Sequence, residues 1–396
     1  MSWLRRRGGT PEDRFAAEVA GLARSLLGAE VRRLPEFALE IDVDGSGSPL
    51  TMSLGNIYQE AQALDTEARA SRLRRAVLAM APEPRPQTWE QAAPRLLPAV
   101  RSTSWAASGG IPDVVRRHLL PFVSLLCAID SEHAMTFITE GDLQAWGVSE
   151  DEALRRAAEN LAQVPLGVAH IESAAYVVGP DGYVSSWLAS GMLAQVAADV
   201  GDTVVAVAVD RDHLLLIDTD NHAVTFDLLQ KALNDYQAAP RQLSPVPYLV
   251  NEAGPRVWVP PGDHPARPVV DQAIHVLAAV EYQHQKARLD ELFAKAGADV
   301  FVATHTLIRG DDGSLRSWAV WVKQVTDGLL PQVDSVLLGD NDTDGPPIAI
   351  SWDDSMRRAG ASLEPTGYDP PLWRYQGWPD PTTLAALREV ALPPPG

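Results

Sequence analysis

What most constrains this chain is a unit that recurs along it. An amphipathic helical stretch leads into two short apolar strands around a polar turn, and a second helical stretch follows. Thr10-Pro11-Glu12-Asp13 reads as an N-cap, a proline at the first helical position and two acids on the helix dipole. Phe15, Val19, Leu22 and Leu26 then recur at helical spacing, and Gly28 closes the helix. Phe37, Leu39, Ile41 and Val43 alternate as a half-buried strand does. Gly45-Ser46-Gly47-Ser48 turns the chain, Leu50 to Leu54 returns as the hairpin partner, and a helix begins near Gly55. The pattern repeats twice. Leu119 to Asp130 and Ala134 to Ile138 form a buried hairpin before a helix that runs from the capping box Ser149-Glu150-Asp151-Glu152 to Leu161. A strand at Ala174 to Val178 precedes a helix from Tyr183 to Val200, capped by Gly201. Strands Val204 to Val209 and Leu214 to Ile217 and a helix over 222–238 complete that copy. Local hairpins separated by helices predict an α+β fold with mainly antiparallel sheets, not a doubly wound parallel sheet.

Prolines punctuate this plan. Pro82, Pro84, Pro86 and Pro94 mark a linker, and prolines are dense again from Pro240 to Pro268. With 396 residues, two or three domains are expected. The division read here is a helix-hairpin-helix subdomain over 1–81, an α+β core over 95–250 and a smaller α+β domain over 265–396. The last opens with a long helix, Val269 to Ala296. Strands Val300 to Ile308 and Leu315 to Val325 follow, joined by Gly310-Asp311-Asp312-Gly313. Val333 to Leu338 and Ile348 to Trp352 complete its sheet. Tyr368, Trp373, Tyr375 and Trp378 then pin an extended, proline-rich tail across the domain surface.

The formal charge is −19, and it is unevenly spread: residues 106–396 carry a net −20. A surface this acidic repels phosphate backbones, so nucleic acid is not an expected partner; a protein with a basic surface is. Cys127 is the only cysteine, so no intrachain disulfide and no thiolate metal cluster can form. No apolar signal core follows Met1. The best apolar run, Leu119 to Ile129, is broken by Pro121 and Ser124, so no membrane partner is expected and the reading is a cytoplasmic protein.

Three segments carry a resemblance. The first is LLPAVRSTSW, Leu96 to Trp105, where an apolar run reaches Arg101 and three consecutive hydroxyls. The second is SEDEALRRAAENL, Ser149 to Leu161, preceded by ITEGDLQAWGV. The third is GPDGYVSSWLASGML, Gly179 to Leu193, followed by TVVAVAVDRDHLLLID, Thr203 to Asp218. Their order and spacing resemble the YtpQ-like family of uncharacterised bacterial proteins over roughly residues 12–250. The resemblance implies an α/β domain and supplies no substrate. Family members often have a proline shortly before the acid of the third segment, where this chain has Val209 and Asp210, and residues 265–396 have no counterpart in it.

The polar positions of those segments are the candidate ligand site: Arg101, Ser102, Thr103, Ser104, Asp181, Tyr183, Arg211 and Asp212. A guanidinium fork beside hydroxyls suits a carboxylate or phosphate. Asp181 and Asp212 form an acid–base pair if folding brings them together. The competing readings are a polar edge strand at Arg101, a turn and cap at Pro180-Asp181-Gly182, and a local ion pair between Arg211 and Asp212. No metal site and no cofactor are expected. Asp340-Asn341-Asp342-Thr343-Asp344-Gly345 matches the start of an EF-hand loop, but Ser351 stands where the bidentate acid belongs. Glu281 and His284 have Glu-x-x-His spacing without the second motif of a di-iron bundle. Asp271 and His275 share a helix face and can hydrogen-bond, while His118, His133 and His305 are isolated.

The chain also lacks HExxH, a GxSxG elbow, a P-loop and a GxGxxG fingerprint. The leading expectation is therefore a non-catalytic binding or adaptor protein. The alternatives are an enzyme or small-ligand sensor for an anion, with Arg101, Asp181 and Arg211 around a shared cavity, and an immunity or chaperone-like protein that masks a basic partner.

Overall fold

A computed structural model describes residues 10–43, 49–81, 84–108, 113–171, 173–180, 182–311, 313–340 and 347–393. The fold is α+β, with several small, mostly antiparallel sheets between helices. Parallel pairing occurs at Phe301–Val302 with Gly328–Pro331 and at Leu315–Val322 with Ser335–Gly339. Among the described residues, no helix is long and apolar enough to cross a membrane. The chain divides into two compact units, Met1–Leu97 with Cys127–Asn160, and Pro98–Leu126 with Leu161–Gly396. The first crossing between them follows Leu97, close to Pro94, and no crossing falls between 240 and 268.

In the first unit the helix Pro11–Leu27 starts on a capping box, Thr10 with Asp13, and ends on Gly28 in the left-handed region. Its buried face, Phe15, Val19 and Ala23, packs with Leu39, Ile41, Leu54, Leu73 and Val77 into one core. Phe15, Phe37 and Tyr58 meet edge to face or tilted at that core's rim. The hairpin Ala38–Asp42 with Leu50–Ser53 forms as read. A third strand, Glu30–Leu34, joins it and carries too little apolar alternation to be read from sequence. It is held partly by cross-strand pairing, with Arg32 bidentate on Glu40 at 2.8 Å. The turn 45–48 lies outside the described residues.

The second unit holds a six-stranded antiparallel sheet in the order Arg256–Val257, Tyr248–Leu249, Val204–Asp210, His213–Asp218, Ala174–Val178, Gly167–Ile171. Two four-stranded sheets follow in sequence. Trp321, Val336, Leu338, Ile350 and Tyr375 share their main core. The long helix Arg267–Ala296 belongs to the same unit because it bonds to segments far on either side of it. Glu281 accepts from the Ser104 amide at 2.8 Å, and Gln285 Nε2 donates to the Pro370 carbonyl at 2.6 Å.

Several local expectations are corrected. Residues 183–200 are not one helix: Val184–Ala189 is a 3₁₀ segment and Met192–Ala198 a short α-helix. The hairpin draws the first part away, since Ser185 donates from its amide to the Arg211 carbonyl and from its hydroxyl to the Asp210 carbonyl. Gly201 serves close approach, because a Cβ there would overlap the Asp218 side chain. The stretch Val300 to Ile308 is two strands, Phe301–Val302 and Thr306–Arg309. The tail is not a surface strap. Leu372–Tyr375 is an inner strand between Gly328–Pro331 and Glu364–Pro365, and Pro381–Arg388 is a helix that Asp380 caps.

Gly328 shows how tightly this inner strand packs. It pairs with Tyr375, and a Cβ at Gly328 would overlap the tyrosine side chain at its Cζ. Gly328→Ala is expected to destabilise the chain by about 2 kcal/mol through overpacking. Gly191→Ala, where nothing lies within 4 Å of the added atom, is expected to stay within about 0.5 kcal/mol of the parent. Urea unfolding of the two variants beside the parent checks both values.

Candidate functional site

Every candidate site residue described here lies in the second unit. The strand Leu96–Ser102 is buried along its whole length and runs directly into the helix Thr103–Ser108. It ends its sheet, but as a buried strand and not as an exposed polar edge. Neighbouring side chains of a strand point to opposite faces, and Arg101 and Ser102 reach different surroundings. The Ser102 hydroxyl accepts from the Trp105 amide at 3.3 Å and so caps the new helix. The Thr103 amide donates to the Phe122 carbonyl at 2.9 Å, and its hydroxyl bonds that of Ser124 at 2.9 Å. Ser104 gives its amide to Glu281. These hydroxyl residues do not line up beside Arg101.

Arg101 is 8% exposed. Its Nη1 donates to its neighbour's carbonyl, Val100, at 2.7 Å and to the Gly182 carbonyl at 3.4 Å, and its guanidinium lies 6.0 Å from the centre of the Trp105 ring. Tyr183, Arg211, Asp212 and Arg241 are within electrostatic reach. Burial, then the like charge of Arg211, brings the Arg101 guanidinium down to about 9. The hairpin tip supplies Arg211 and Asp212. Asp212 accepts from the Gly182 amide on one carboxylate oxygen and from Arg211 Nε at 3.2 Å on the other. Burial pushes its carboxyl up, but Arg211, the Gly182 amide and Arg241 outweigh that and hold it below the usual range. Asp210 turns elsewhere, accepting from the Asp212 amide at 2.7 Å and bonding His213 Nδ1 at 2.8 Å.

The fold thus gathers Arg101, Tyr183, Arg211 and Asp212. It sends Ser102, Thr103 and Ser104 to a separate interior. Asp181, and with it the Asp181–Asp212 pair, lies outside the described residues. So do positions 341–345 of the EF-hand-like loop, whose first residue, Asp340, accepts from Lys323 at 2.9 Å. Among the described residues no group of three His, Cys, Asp or Glu side chains could hold a metal ion. Asp271 meets His275 through its backbone carbonyl, at 2.7 Å, while the ring's other nitrogen bonds Asp334 at 3.0 Å. The carboxylate of Asp271 takes Arg267 instead.

Two participants escaped sequence reading. Arg241 sits in the loop after the helix His222–Ala238, beside Gln242, which bridges to Asp210. No local pattern marks it. Glu281 was visible only as half of a metal motif. It is 2% exposed and holds the Ser104 amide, with the Ser102 hydroxyl as a further donor. Burial pushes its carboxyl up to about 7 against those bonds, and Asp369 adds to the rise. Tyr236 and Tyr248 face it from neighbouring elements, and burial raises both phenols.

A carboxyl raised from its usual 4.5 to about 7 binds a proton in the folded chain that the unfolded chain has already lost. Its contribution to stability is full below pH 4.5 and is lost as pH rises through 7. Glu281→Gln, neutral at every pH, is expected to be the more stable protein at pH 8, by up to about 3 kcal/mol. That advantage should shrink towards pH 5. Urea unfolding of both proteins at the two pH values measures it.

No family model, no curated protein and no solved structure matches this chain, so the reading of the site rests on its own geometry.

Proposed function

We propose that this chain is a non-catalytic binding protein whose ligand is a small anion held at Arg101, Arg211 and Arg241. One observation carries the reading: Arg101, Arg211 and Arg241 all lie within electrostatic reach of Asp212, in a chain whose formal net charge is −19. Like charges gathered in a partly dry setting repel, and an anion among them relieves that repulsion. Arg101 forms the buried floor. Arg211 and Arg241, each only partly buried, are the arms that an incoming ligand meets. The planar fork of arginine matches the paired oxygens of a carboxylate or a phosphate. Binding is favoured over group transfer because Ser102 and Thr103, the nearest hydroxyls in sequence, are engaged in capping and in a bond to Ser124.

The cluster is assembled from segments that carry the YtpQ-like resemblance: Arg101 from the first, Gly182, Tyr183, Arg211 and Asp212 from the third. Membership of that family, and residence in the cytoplasm, are proposed on the same ground.

Thermal unfolding with inorganic phosphate, pyrophosphate or citrate, each against potassium chloride of equal ionic strength, tests the reading. At least one anion is expected to raise the midpoint, with stabilisation approaching about 3 kcal/mol at a hundred times its dissociation constant. Arg211→Gln and Arg241→Gln are each expected to weaken that anion about tenfold or more, the loss of one charge-assisted bond. The reading fails if no anion stabilises the parent, or if both variants respond as the parent does.

A further inference from the structure

The six-stranded sheet ends on the strand Gly167–Ile171. It pairs on one side with Ala174–Val178 and on the other with no described strand. Its sequence, GVAHI, contains no lysine, proline or carboxylate, the usual means by which an edge strand refuses a second chain. The register sets Gly167 opposite Val178, Ala169 opposite Tyr176 and Ile171 opposite Ala174. The Ser173 carbonyl accepts from the Asp218 amide on the far side, so by alternation the groups of Ala174 face Ile171, and that pair is a hydrogen-bonded one. Alternation then directs the backbone groups of Gly167, Ala169 and Ile171 to the neighbouring strand, and those of Val168 and His170 outward.

We infer that this edge pairs antiparallel with the same strand of a second copy of the chain, about a two-fold axis at Ala169. In that register Val168 of each copy lies opposite His170 of the other, and their outward backbone groups exchange hydrogen bonds. Gly167 lies opposite Ile171. Because Gly167 has no side chain, the second copy's isoleucine packs over it and against Val178, whose side chain already touches that glycine's position. Ile171 is 44% exposed and Val178 52%, and one register covers both. Charge selects the same place. A chain of net −19 repels its own copies over most of its surface, and this strip carries no formal charge. The contact is isologous and closed, so it yields a dimer and not a fibre. Five paired residues bury less than a permanent dimer does, which makes the association concentration-dependent.

Light scattering over a concentration series of the full chain tests the inference. The weight-average mass is expected to climb from 42.8 kDa towards twice that value. Val168→Pro removes an outward donor without touching a bond to Ala174–Val178, and edge strands accept proline there. It should keep the mass at that of the monomer, as should Ile171→Lys, which places like charges at the seam. Phe226→Lys, at an exposed apolar residue on another element, should dimerise as the parent does. The amides of Val168 and His170 should exchange more slowly as the parent dimerises. A parent that stays monomeric at every concentration overturns the inference. So does a dimer that survives both edge variants, or slow exchange at these amides that follows a co-purifying chain of different mass.

Discussion

The bond between the Ser104 amide and the Glu281 carboxyl is the contact on which the rest of the second unit's site depends. It joins residues 177 positions apart in sequence. Segment 102–108 is thereby fastened to the long helix Arg267–Ala296, and the strand before it is oriented. Burying a carboxyl is costly unless donors meet it. Here a backbone amide and the Ser102 hydroxyl do so, and the remaining cost appears as a raised proton affinity. With Ser102 facing that carboxyl, strand alternation sends Arg101 the other way, towards Gly182 and the tip of the hairpin.

The end of one strand therefore separates two chemistries. On one face a buried acid takes the Ser104 amide and the Ser102 hydroxyl, the latter a candidate ligand group by sequence. On the other, Arg101 lies within electrostatic reach of Arg211 and Arg241. The two sets are kept apart by a single residue's alternation. The hairpin tip is held in place by several polar bonds: Gly182 to Asp212, Ser185 to the carbonyls of Asp210 and Arg211, and Asp210 to His213. Fixed donors and acceptors of this kind keep the like charges close and limit their ability to relax apart. On the proposed reading, that is the property an anion site needs before its ligand arrives.

Much of the fold was legible in local signals. The N-cap at Thr10, the C-cap at Gly28, the Ser149 cap whose hydroxyl accepts from the Glu152 amide, and the strands around Asp210 to His213 all stand where periodicity and turn chemistry put them. The misses share a cause. Glu30–Leu34 and Leu372–Tyr375 are strands because neighbours pair with them, and 183–189 leaves the helix because the hairpin backbone captures Ser185. In each case a long-range partner overrode local preference. The candidate site divided in the same way. Arg101, Arg211 and Asp212 stood out as charges beside apolar strands. Arg241 carried no such contrast, and the tie between Ser104 and Glu281 leaves no trace in spacing.

By itself the sequence determined the class of fold and the positions of most helices and hairpins. It also determined the acid excess of the chain and the polar residues that interrupt its buried strands. These follow from period, capping and composition, each set within a few residues or by simple addition. Only the tertiary structure decided which polar residues meet. It placed Ser104 on Glu281, Thr103 on Ser124, and Arg241 within electrostatic reach of Arg101 and Asp212, and it made a proline-rich tail into the inner strand of a sheet. Such contacts depend on which of many distant groups best satisfies a buried donor, acceptor or charge. That choice is made by the packed whole, and no stretch of the chain encodes it alone.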